Sequence, residues 1–269
     1  MSNSTVLRYK GYTQTPFLWK EDAVDGIKQI EIESQNTSID THFNTSEIRL
    51  GKIVEQFVYQ EFKQIKTIEW ISDHIQVRDG KHTLGELDAL CYQEEIPIHL
   101  EIVYKFYLYD TLETYTDPLA YWIGPNRKDT LLYKLDKLKH KQFPLLYNTA
   151  TKSYLDTHHL DAKHIEQRVC FKAQLFMPYG ADEMDVSPIN SDCIYGFHLS
   201  FKGIDILKGF KIYIPEKLDW LITPHEDVYW LDYDIAYTEI SRFIETKRSP
   251  LIWVKYPNDQ LKKCFITFW

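Results

Sequence analysis

The run Ile98–Tyr109, IHLEIVYKFYLY, constrains the fold more than any other segment. Its β-branched and aromatic side chains are nearly continuous, the pattern of a central strand buried on both faces. Glu101 and Lys105 place charges inside this strand, and an unpaired buried charge costs several kcal/mol, so their presence calls for a reason. The preceding segment Thr83–Tyr92, TLGELDALCY, alternates: Leu87, Ala89 and Cys91 share one face, and Glu86, Asp88 and Leu90 the other. Gln93–Ile98, with Pro97 in it, reads as a hairpin turn. If Gln93 lies opposite Ile98, Asp88 falls opposite Val103. It is then a diagonal neighbour of both Glu101 and Lys105, at about 7–8 Å.

Two readings of this constellation stand on the residues alone. One is a salt-bridged strand pair in which Lys105 neutralises Asp88 or Glu101. The other is a centre for hydrolysing a phosphodiester, with Asp88 and Glu101 holding Mg²⁺ or Mn²⁺ through hard oxygen ligands. The ion would polarise the phosphate and acidify an attacking water, and Lys105 would orient that water or balance phosphate charge. Glu55, on a preceding helix, could complete the metal's shell or bind a second ion.

Periodicity places the neighbouring elements. Asn44 with Glu47 three residues on reads as a capping box. It opens a helix expected over about Ser46 to Gln64, along the stripe Leu50, Ile53, Val54, Phe57, Val58 and Phe62. Residues 1–40 read as a short helix and an arm anchored by Tyr12, Phe17 and Trp19, and Lys66–Ile75 as an edge strand. A helix is expected from about Lys128 to Gln142, stopped before Pro144, with Lys134, Leu138 and Gln142 at four-residue steps. The runs CFKAQLFM, CIYGFHLSF, FKIYIP, PLIWVKY and KCFITFW follow as strands, with one helix near Asp232–Thr246. The expected fold is α/β, a mixed central sheet flanked by helices over residues 1–165. An α+β C-terminal region over 166–269 packs on it, because no Gly/Ser linker divides them.

A net charge of −8 over 269 residues weighs against coating nucleic acid through bulk charge, though a bound dication supplies positive potential locally. Cys91, Cys170, Cys193 and Cys264 are far apart, without a CxxC pair, which argues against a cysteine zinc site and for a reducing cytosol. The N-terminus carries no apolar leader and no stretch approaches a membrane span, so a cytoplasmic protein is expected. No GxGxxG, GxxxxGK[ST] or GxSxG motif occurs, which disfavours nucleotide loops and hydrolase elbows. His158, His159 and His164 cluster with Asp156 and Asp161 in a polar stretch that reads as loop rather than zinc site, and His198 and His225 read as structural. Gly124–Asp129 reads as a tight turn before a helix, or as a phosphate contact.

The order Glu55, then GELD with Asp88, then HLEIVYK with Glu101 and Lys105 resembles the PD-(D/E)XK nuclease superfamily. Nearly the whole chain resembles the bacterial family of domain of unknown function 1853. The matching stretches are RLGKIVEQF, LGELDAL, HLEIVYKFYL, WIGPNRKDTLLYKLDKL, AQLFMPY and KIYIPEKLDWL. The resemblance implies a restriction-endonuclease-like core, metal ligation by Asp88 and Glu101 with Glu55 in support, a catalytic lysine at Lys105, Mg²⁺ or Mn²⁺ as cofactor, and DNA or RNA as substrate. The superfamily spaces its acid and lysine two residues apart. Here they are four apart, which keeps the strand face but carries Lys105 about 6.6 Å further along. Lys134 is the alternative cation. A catalytically inactive nuclease-fold protein that binds nucleic acid or a protein partner is the alternative function.

Overall fold

A computed structural model describes residues 3–20, 23–32, 37–39, 43, 49–181 and 184–269. In chain order the regular elements are α1 (Asn3–Gln14), α2 (Leu50–Phe62), β1 (Ile68–Asp79), β2 (His82–Gln93), β3 (Ile96–Tyr109), β4 (Trp122–Ile123) and α3 (Leu131–Lys137). There follow α4 (Thr149–Thr157), β5 (Glu166–Pro178), β6 (Ile194–Ser200), β7 (Lys211–Tyr213), α5 (Tyr233–Glu245), β8 (Leu251–Lys255) and β9 (Leu261–Thr267). They form two compact units, each discontinuous in sequence. One draws on residues 17–104 and 133–172, the other on 1–16, 105–132 and 173–269. The expected division at 165/166 falls just ahead of β5, whereas β3 and β5 each contribute residues to both units.

The first unit, here the hairpin unit, is built on the antiparallel strands β1, β2 and β3. Alternation holds along β2: Leu87, Ala89 and Cys91 are fully buried, with Leu90. Both faces of β3 are covered, as its composition demands, with Ile98, His99, Leu100 and Glu101 all buried in succession. One core cluster gathers Ile75, Val77, Leu87, Leu90, Leu146, Leu155, Leu160 and Ile165. Each such side chain contributes about 1.5–3 kcal/mol of burial. Helix α2 turns the stripe Ile53, Val54, Phe57, Val58 and Phe62 inward. The capping box expected at Asn44 and Glu47 lies outside the described residues. Helix α3 runs on through a π-turn over Leu138–Gln142, close to the expected end. Helix α4 was not expected: its sequence is polar, and only Thr151 and Leu155 are buried along it.

The second unit holds a mixed sheet. β5 and β9 flank β6 in parallel, β8 pairs antiparallel with β9, and β7 pairs antiparallel with β8. These five strands are the expected C-terminal runs, and α5 matches the expected helix. Its Ala236 and Ile240, four residues apart, pack with Phe197, Ile212, Ile252, Val254 and Ile266. Helix α1 crosses close to the turn at Lys217–Leu221. Gly11 permits this approach, since a Cβ there would lie 2.0 Å from the Leu221 carbonyl oxygen. Among the described residues no helix is long and apolar enough to cross a membrane.

The β2–β3 turn departs from expectation. Gln93 pairs with Ile96, so the loop is the two residues Glu94 and Glu95, with φ of 48° and 71°. Two successive left-handed residues are what a type I′ hairpin turn requires. Pro97 sits in the strand, opposite Tyr92, rather than in the turn. The register is tighter by two residues than a Gln93–Ile98 pairing, and Asp88 falls opposite Glu101 instead of Val103. A glutamate held left-handed costs about 1–2 kcal/mol that Asn or Gly avoids. We therefore expect Glu94→Asn with Glu95→Gly to raise the melting temperature by several degrees. An unchanged or lowered transition would contradict this assignment of the turn.

Candidate functional site

One face of β2 and β3 brings together buried His99 and Glu101 with half-buried Asp88. The ladder pairs Ala89 with Leu100, which brings Asp88 and Glu101 directly opposite on a shared face. Asp88 Oδ2 accepts the Ile102 backbone N–H at 2.8 Å, so the carboxylate substitutes for a ladder partner there. Glu101 is completely buried. Its Oε1 lies 3.1 Å from His99 Nε2, and its Oε2 accepts from the Gln142 amide. Gln142 Oε1 in turn accepts from Lys134 Nζ at 2.7 Å. A chain of contacts thus runs from a lysine on α3, through the π-turn, to the buried acid on β3.

His99 is held from its other side. Gln167 Nε2 donates to Phe143 O at 2.8 Å and lies 3.0 Å from His99 Nδ1. With an amide donor at Nδ1, the hydrogen-bond pattern assigns the proton to Nε2, which then donates to Glu101. Burial pushes the His99 pKa down to about 4, which keeps the ring neutral in this role.

The acids respond to burial and to one another. Burial, followed by repulsion from Glu101, raises Asp88 from 3.8 to about 7. Burial raises Glu101 too, opposed by the Lys134 ammonium and by hydrogen bonds from Asp88. Repulsion from Glu101 adds to burial at Asp88, which favours retention of a proton there in the absence of another cation. Burial and the Asp88 charge also raise Glu55.

Glu55 does not join the pair by hydrogen bonding. Its Oε2 accepts from Lys52 Nζ at 2.7 Å, and Lys52 also reaches Glu86 Oε1 at 3.0 Å. His74 Nδ1 lies 3.4 Å from Glu55 Oε2 and 3.3 Å from Glu86 Oε1. Among the described residues, Glu55, His74 and Glu86 are the only group of three or more His, Cys, Asp or Glu side chains with ligand atoms all within 4.8 Å. His74 falls inside the expected edge strand Lys66–Ile75, but its φ of 49° breaks the alternation by which the sequence would place it. Glu86 was legible as sharing Asp88's face. His99 and Gln167 carried no signal, since nothing in their spacing marks a buried hydrogen-bond relay.

Lys105 belongs to the second unit, where its Nζ pairs with Asp129 at 2.5 Å. In the same unit, the Gly124–Asp129 turn is closed by Gly124 N–H to Asp129 O at 2.8 Å. Its Arg127 is committed to a bidentate pair with buried Asp110 at 2.9 and 2.8 Å. His158 caps α4 with its ring 4.8 Å from Tyr154, and no metal group forms with His159 or His164 among the described residues. His198 is satisfied by the Tyr109 carbonyl at 2.9 Å, and His225 packs on Trp253.

The raised acids set a pH dependence. A carboxyl whose folded pKa lies above its unfolded value favours folding while protonated, and that stability is lost as pH rises from the unfolded to the folded value. For Asp88 the window is about 4 to 7, and each unit of displacement is worth about 1.4 kcal/mol. In chelator, Asp88→Asn should therefore gain stability relative to wild type between pH 5 and pH 8 in denaturation profiles. Parallel profiles for the two proteins would contradict proton retention at Asp88.

No curated protein and no solved structure matches this chain. A family model does match, over residues 11–262, under the description Domain of unknown function (DUF1853). That match takes in both units, from within α1 to within β9, and includes Glu55, Asp88, Glu101, Lys105 and Lys134. The chain belongs to the DUF1853 family.

Proposed function

We propose that the hairpin unit carries a divalent-metal-dependent phosphodiesterase centre of PD-(D/E)XK type, on a restriction-endonuclease-like core, acting on DNA or RNA. The observation that carries this reading is the opposed pair of half-buried Asp88 and fully buried Glu101. A site that favours a proton on Asp88 beside a second carboxylate offers hard oxygen donors and an energetic incentive to accept a dication. Asp88 and Glu101 would hold Mg²⁺ or Mn²⁺, with Glu55 in support. When bound, such an ion supplies Lewis-acid polarisation of the phosphate and acidification of water.

The chain's own groups then have distinct tasks. His99 and Gln142 hold the Glu101 carboxylate in one orientation. Lys134, bonded to Gln142, acts on both acids electrostatically. It is therefore the better candidate to neutralise phosphate charge than Lys105, whose ammonium is paired with Asp129. The four cysteines are buried and form no disulfide, which agrees with a reducing cytoplasm.

A second reading is a catalytically silent nuclease-fold protein that binds nucleic acid or a protein partner. The net charge of −8 and the Lys105–Asp129 pair favour it. Thermal shift and cleavage assays separate the two. A dication at 100 times its dissociation constant stabilises by about 2.7 kcal/mol, so Mg²⁺ should raise the wild-type melting temperature by several degrees and leave Asp88→Ala unmoved. Plasmid, single-stranded DNA and RNA are then screened. Lys134→Ala should keep the metal response and lose cleavage by about 10²-fold or more. Metal binding without cleavage of any substrate would favour the silent protein, and no metal response would end both the metal and the nuclease readings.

A further inference from the structure

We propose that Glu55, His74 and Glu86 form a separate transition-metal site on the hairpin unit, taking Zn²⁺ or Mn²⁺ in preference to Mg²⁺. Three elements converge to make it: Glu55 comes from α2, His74 from β1 and Glu86 from β2. Two observations point to a cation rather than to a simple ion pair. The first is spacing. His74 Nδ1 stands 3.4 Å and 3.3 Å from the two carboxylate oxygens, longer than the usual hydrogen bond. Donors bound to one ion at about 2.1 Å in tetrahedral geometry lie about 3.4 Å apart. The second is that a cation already bridges the two carboxylates. The Lys52 ammonium sits 2.7 Å from Glu55 Oε2 and 3.0 Å from Glu86 Oε1, the same two oxygens that face His74.

Lys52 is thus a resident competitor for the metal. Its side chain is 37% exposed, and its flexible arm can withdraw to water when a dication with higher charge arrives. The imidazole sets selectivity, because nitrogen donors suit Zn²⁺ and other transition ions, whereas Mg²⁺ keeps to oxygen. Three protein ligands is the number used by sites that leave a coordination position open. The His74 side chain is 46% exposed, so an ion can reach the site from solvent. The proposal does not need the nuclease reading, although Glu55 lies within electrostatic reach of Asp88 and so couples the two groups.

The test is Zn²⁺ and Mg²⁺ binding to the full chain by equilibrium dialysis, in wild type, His74→Asn, Lys52→Met and Asp88→Ala. Asn tolerates the φ of 49° at position 74, so the fold is spared. His74→Asn should weaken Zn²⁺ by about tenfold or more and leave Mg²⁺ unchanged. Lys52→Met should tighten Zn²⁺, since the competing ammonium is gone, and Asp88→Ala should still bind it. Failure of Mg²⁺ to bind any variant would remove the Asp88–Glu101 metal site and leave this one standing. Zn²⁺ affinity unaltered by both His74→Asn and Lys52→Met, or abolished by Asp88→Ala with His74→Asn unaffected, would overturn it.

Discussion

The register of one hairpin governs everything else in this unit. A two-residue turn at Glu94 and Glu95 locks Gln93 against Ile96. Because side chains alternate strictly along a strand, this choice brings Asp88 and Glu101 face to face. A slip of one residue would turn one acid of the pair to the opposite face, and the longer turn expected from Pro97 would have set Asp88 against an apolar valine. The site is a consequence of turn geometry as much as of residue identity.

Holding two carboxyls in that position works against folding unless something offsets their desolvation. The offsets are specific. The Ile102 amide meets Asp88, the neutral His99 and the Gln142 amide meet Glu101, and Lys134 stands behind Gln142. Burial outweighs these contacts, so both pKa values remain raised. The nearby Glu55 and Glu86 are treated differently, with Lys52 in direct contact with both. One cluster offers carboxylate oxygens alone and the other adds an imidazole nitrogen, and that contrast motivates assigning them different ions.

Much of this was legible in the sequence, for physical reasons. β3 announced itself because a doubly buried strand leaves little room for polar residues, and the stripe of α2 and the five C-terminal strands followed from periodicity. The four-residue steps of Lys134, Leu138 and Gln142 placed the lysine and the amide on one helical face, and their hydrogen bond spans that face. The turn was not legible: left-handed turns are signalled by Asn and Gly, and two glutamates give no such sign. Helix α4 was hidden because its buried surface is small. His74 was hidden because a left-handed residue within β1 breaks the alternation that would have placed it.

The central claim is that Asp88, opposite Glu101, retains a proton whose place a dication takes. Proton release on Mg²⁺ binding tests it directly, by titration calorimetry at pH 6 in buffers of different ionisation enthalpy. The account predicts about one proton released per Mg²⁺ bound, and no such release from Asp88→Asn. Binding without proton release in the wild type, or equal release from the variant, would contradict it.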